Sequence, residues 1–140
     1  MSDETSERWA RGRATLRAIT GEAGIQVLEG LKDIVPDIED LIVPFAYGEV
    51  LARPGLDLRT RELATVAALT TLGHAGPQLK VHIHGALNVG CTPREIVEVI
   101  VQMMLYAGFP AAMNGFAIAR EAFAERGVHP QSAAQGASRP

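Results

Sequence analysis

His82 and His84, two residues apart, form the most chemically suggestive pair in the chain. On a strand this spacing would put both imidazoles on one face, where they could chelate a metal. On a helix it sends them in nearly opposite directions, because only spacings of three and four bring side chains together. No Asp, Glu, Cys or His stands four residues from either one, so no metal site is expected here. One histidine should point inward and the other should face a subunit interface or water. His82 is the inward candidate, because it shares a helical stripe with Leu79, Ala86 and Val89. Imidazole can give and take a proton at working pH. The alternative for His82 is a core histidine satisfied by a backbone carbonyl.

Glu62 lies four residues after Leu58 and four before Val66, on the apolar side of its own stretch. A carboxylate there needs a partner. It either couples to a histidine for acid–base work or bridges to Arg59 or Arg94. Tyr106 and Asn114 could each offer a hydrogen bond to a bound carbonyl, although a tyrosine at a helix end also serves as a packing residue with a wet hydroxyl. Cys91 is the single cysteine, which excludes both an internal disulfide and a CxxC redox pair.

Positioning these residues falls to helices. Apolar residues Trp9, Ala10, Leu16 and Ile19 suggest a first helix, broken at Gly21 and Gly24. Ile25 to Ile34 reads as a second, stopped before Pro36. Asp37 to Val50 reads as a third, with Pro44 imposing a kink or two half-helices. After the Arg53-Pro54-Gly55 turn, Asp57 caps a helix over 59–72. Pro77 opens the next and Gly90 closes it. Thr92-Pro93-Arg94-Glu95 is a capping box, opening a helix with Ile96, Ile100, Met103 and Ala107 on one face. Pro110 starts the last helix, which stops at Gly127. The expectation is an all-α domain of six or seven helices over 1–127, followed by a disordered tail at 128–140.

At 140 residues the chain can bury a core without disulfides. Hydrophobic residues make up 47% and charged ones 21%, whereas aromatics are only 5%, which favours closely packed helices over an aromatic-rich sandwich. The formal charge is −3, with no basic cluster of the kind nucleic-acid binding needs. Lys32 and Lys80 are the only lysines, so the cations are mostly arginines suited to gripping carboxylates. The polar start, Met1 to Arg13, does not read as a secretory signal. No apolar run reaches membrane-spanning length. A cytoplasmic protein is expected.

Three ordered blocks resemble the carboxymuconolactone decarboxylase family: Leu56 to Leu69, His82 to Ile96, and Tyr106 to Ala112 with Asn114. The resemblance spans about Val50 to Arg126. It implies an all-helical homo-oligomer, a trimer or hexamer, with sites near subunit contacts. The wider superfamily includes alkylhydroperoxidase-D-type reductases, whose cysteine pair precedes the helix histidine. Ala75 and Gln78 stand at those positions here, which removes the peroxidase chemistry. Within the decarboxylase branch, the resemblance leads one to expect Arg where His84 stands and Asn where Val89 stands. A changed substrate, in a biosynthetic pathway, is therefore a second expectation.

The family reaction implied is cofactor-free decarboxylation of 4-carboxymuconolactone to 3-oxoadipate enol-lactone in protocatechuate breakdown. The electrons left by carbon dioxide flow through the ring double bond to the lactone carbonyl. The resemblance then suggests His82 as general acid and Glu62 as its orienting partner. Arg59 or Arg61, or an arginine from another subunit, would anchor the acetate arm. His84, Tyr106 and Asn114 complete the expected substrate-binding set. Two other readings stand beside this one: a related enzyme acting on another lactone or oxo-acid, as lyase, isomerase or cyclase, and a non-catalytic binding or assembly protein on the same fold.

Overall fold

The computed structural model describes residues 3–131, and every regular element among them is a helix, with no strand. The order is α1 (Asp3–Glu29), α2 (Ile38–Ile42), a π-helical segment (Val43–Val50), α3 (Leu58–Leu72), α4 (Gly76–Asn88), α5 (Pro93–Ala107) and α6 (Phe109–Arg126). They fall into two compact units, Met1–Arg61 and Glu62–Pro140, the division lying within α3.

In the first unit, α1 packs along the π segment. The expected break at Gly21 is present as a kink with φ 62° and ψ −154°, a conformation that glycine adopts without steric cost. Contrary to expectation, the helix after the kink ends at Glu29 rather than Ile34. Beyond it the backbone tightens, with Leu31 N–H on Leu28 O at 3.1 Å and Lys32 N–H on Glu29 O at 3.2 Å. Pro44 acts as expected: a short α-helix precedes it and a wider π turn follows, with Leu51 N–H reaching Ala46 O at 2.9 Å. A proline within a helix removes one donor and crowds the preceding turn, and the wider π repeat accommodates that. The backbones of α1 and the π segment meet closely. A Cβ on Gly12 would overlap the Val43 carbonyl, and one on Gly48 the Arg8 carbonyl. Leu16, Leu28 and Val43 form the core here. The Glu39 carboxylate is held by Arg13 and Lys32, each at 2.8 Å.

In the second unit, α6 packs against α4 and α5. Val66, Leu79, Ile83, Ile96, Ile100 and Phe123 form its core, each worth about 1.5–3 kcal/mol when fully buried. Two start signals foreseen from sequence are present. Asp57 Oδ1 accepts Thr60 N–H at 2.7 Å at the head of α3. Thr92 and Glu95 close a reciprocal capping box on α5, with bonds of 3.2 and 2.8 Å. Of the expected tail, 132–140 lies outside the described residues. Val128 is tied to Phe123 O at 3.0 Å.

Candidate active site

α3 carries Glu62, Val66 and Thr70 at four-residue intervals, and all three are buried. Glu62 is the exception among them in chemistry: a carboxylate with 0% of its surface exposed. Its Oε2 accepts from His82 Nδ1 on α4 at 2.9 Å. Its Oε1 has no hydrogen-bond partner among the described residues. Burying a carboxylate costs several kcal/mol unless it is paired, so this pairing is costly to break. Of the two options left open by sequence, Glu62 takes the histidine rather than Arg59 or Arg94.

The His82 side chain retains 19% exposure, so it sits at the edge of the buried face whose centre is Ile83. A carboxylate at Nδ1 favours the tautomer with its proton there, which leaves Nε2 to exchange a proton. That arrangement orients an acid or base in the same way in many enzymes.

His84 diverges from His82, as the helical spacing requires. Its Nε2 meets Glu125 Oε2 on α6 at 2.8 Å. Lys80 also binds Glu125 and approaches Glu121 at 3.5 Å. The Lys80 hydrogen bond, followed by that of His84, lowers the Glu125 pKa, and Glu125 in turn raises that of Lys80. This cluster was not foreseen, although its i,i+4 spacings (80 with 84, 121 with 125) were visible in the sequence.

The other anticipated binding residues are dispersed. Arg61 donates to the carbonyls of Arg53 at 3.0 Å and Leu56 at 3.3 Å, bracing the turn before α3. Arg59 lies in the first turn of α3, and its charge helps hold the Asp57 carboxyl below its usual value, behind the larger effect of Thr60. Tyr106 is 75% exposed at the end of α5. Asn114 Nδ2 reaches Gly73 O at 3.5 Å, at the limit of hydrogen bonding. Thr70 is a buried hydroxyl without a hydrogen-bond partner among the described residues, and sequence reasoning passed over it. No group of three His, Cys, Asp or Glu among the described residues could hold a metal.

A fully buried glutamate on α3 thus meets a histidine of 19% side-chain exposure on α4. The family model described as the carboxymuconolactone decarboxylase family matches residues 36–121. The chain belongs to that family. It is 37% identical over 132 residues to the 4-carboxymuconolactone decarboxylase of Acinetobacter baylyi, covering 94% of this chain and 96% of that protein. It is also 37% identical over 99 residues to an uncharacterized 15.0 kDa protein of Paracoccus denitrificans, covering 70% and 74% of the two chains. A nitrosuccinic acid decarboxylase of Metarhizium robertsii is 33% identical over 84 residues, 59% of this chain and 57% of that protein. A decarboxylase-like family assignment thus fits the all-helical fold. No helix among the described residues is long and apolar enough to cross a membrane.

Proposed function

We propose that this protein decarboxylates 4-carboxymuconolactone to 3-oxoadipate enol-lactone, with His82 as general acid and Glu62 as its positioning partner. The observation that carries the reading is the 2.9 Å bond between His82 Nδ1 and a fully buried Glu62. In the reaction the bond from ring carbon to carboxylate breaks and carbon dioxide leaves. The electron pair moves through the ring double bond to the lactone oxygen. The electron pair returns from that oxygen as the ring carbon beside the lactone carbonyl takes a proton from His82 Nε2. This leaves the double bond at the carbon that lost the carboxylate, and solvent recharges the imidazole through its exposed edge. The conjugated lactone is itself the electron sink. An arginine from another subunit is the proposed anchor for the acetate arm, since Arg61 braces the turn before α3 and His84, Tyr106 and Asn114 are dispersed. The working form is a trimer or hexamer. Its support is the apolar corner of α5 and α6, where Val101, Leu105, Tyr106, Phe109 and Met113 are exposed.

A second reading has an observation of its own. His84 stands where the family resemblance leads one to expect arginine, and it is engaged by Glu125. A shifted carboxylate anchor would suit a different acid, and a nitrosuccinic acid decarboxylase is among the relatives. Both substrates named by these relatives are carboxylic acids with an electron-withdrawing group to receive the charge. Turnover in deuterated water separates the readings. The lactone should give a product carrying one deuterium on the ring. Inert lactone beside a decarboxylated nitrosuccinate would transfer the assignment to the second substrate.

A further inference from the structure

The end of α6 is built as a wall. Gly127, with φ 63° and ψ 30°, donates to Ala124 O at 3.2 Å, and Val128 N–H reaches Phe123 O at 3.0 Å. This pair of bonds is the Schellman arrangement, which turns the chain back and lays the following residue on the last helical turn. Val128 to Pro130 thereby close one side of a groove of about 290 Å³ between α5 and α6. Its floor is Val97, Phe116, Ala119 and Phe123, so the interior is apolar. None of its lining residues lies on α3 or α4, so it is separate from the His82–Glu62 pair.

The charge at the rim indicates what the groove would hold. Arg120 lines it and takes part in no ion pair or side-chain hydrogen bond among the described residues. A guanidinium beside an apolar slot matches a carboxylate on an apolar body, with two parallel N–H bonds to the two oxygens. The adjoining hollow, which shares Val97 and Pro130, carries Arg94 but also Glu98. The Glu98 carboxylate disfavours a second acid group there. A volume near 300 Å³ is at the small end of ligand sites and suits a single ring.

We propose that this groove is a second small-molecule site, which binds a compact hydrophobic monocarboxylate through Arg120. The test titrates benzoate into the full chain by calorimetry, with benzyl alcohol as the uncharged comparison. Benzoate should bind saturably, and benzyl alcohol at least tenfold more weakly. Arg120→Gln should weaken benzoate at least tenfold, and Ala124→Trp, which fills the slot from an exposed position, should abolish binding. Both variants should keep the wild-type thermal midpoint. His82→Ala should bind benzoate as the wild type does. Absence of binding, or binding indifferent to Arg120→Gln, overturns the proposal. Loss of binding in His82→Ala would place benzoate in the reaction site instead and also overturns it. Binding seen only as the protein breaks into smaller species would mean that a second copy fills the groove, with the same consequence.

Discussion

Glu62 and His82 illustrate what a single buried carboxylate can impose. Because Glu62 is removed from water and its Oε2 meets His82 Nδ1, the carboxylate orients the imidazole. Replacing His82 by alanine should lower kcat by about 10²–10⁴, the usual contribution of a positioned proton donor. Glu62→Gln should retain the fold and lower kcat at least tenfold with little change in KM, as steady-state kinetics would reveal. A Glu62→Gln variant with full kcat would mean that the carboxylate is structural only. Sequence spacing indicated that Glu62 needed a partner, and the histidine was among the candidates. It could not choose between histidine and arginine, because that choice depends on which face of α4 is turned toward α3. His84 shows the same limit. Its divergence from His82 follows from helical geometry, whereas its tie to Glu125 depends on the packing of α4 against α6.

At the scale of elements, the starts of α3 and α5 were readable from short motifs because capping is local chemistry. Thr92→Ala should destabilise the protein by about 1 kcal/mol, measured by denaturant unfolding, with activity retained. Asp57 gives a pH-dependent counterpart. Its pKa is lowered in the folded protein, chiefly by its hydrogen bond with Thr60. Its stabilisation should therefore be present above the ordinary aspartate range and be lost as pH falls through the depressed value. The thermal midpoints of wild type and Asp57→Ala should differ at neutral pH and converge in acid. A constant difference would mean that the cap works without its charge. The region 25–50 was harder to read. Local patterns suggested a helix over 25–34 and another over 37–50 kinked or divided at Pro44, but not that the first would end at Glu29 or that the close approach of α1 to Val43 and Gly48 would accompany a π segment. Such tertiary demands leave no mark on apolar periodicity.

For the whole molecule, the all-helical class was legible from low aromatic content and repeated 3.6-residue patterning, and family membership from three blocks in order. The groove closed by Val128 to Pro130 was not, because that stretch has the composition of a tail, and its order comes from the turn at Gly127. Assembly is a prediction at this scale: light scattering should give three or six times the mass of the 14.9 kDa chain. A monomer at working concentration would leave the apolar corner of α5 and α6 without the role assigned to it.

The most direct measurement is carbon dioxide release from 4-carboxymuconolactone by the purified protein, with His82→Ala alongside. Rapid release by the wild type, reduced at least a hundredfold in a variant of unchanged fold and assembly, is the expected result. Release that persists undiminished in His82→Ala would contradict the assignment of the acid, and no release from the folded wild type would contradict the proposed substrate.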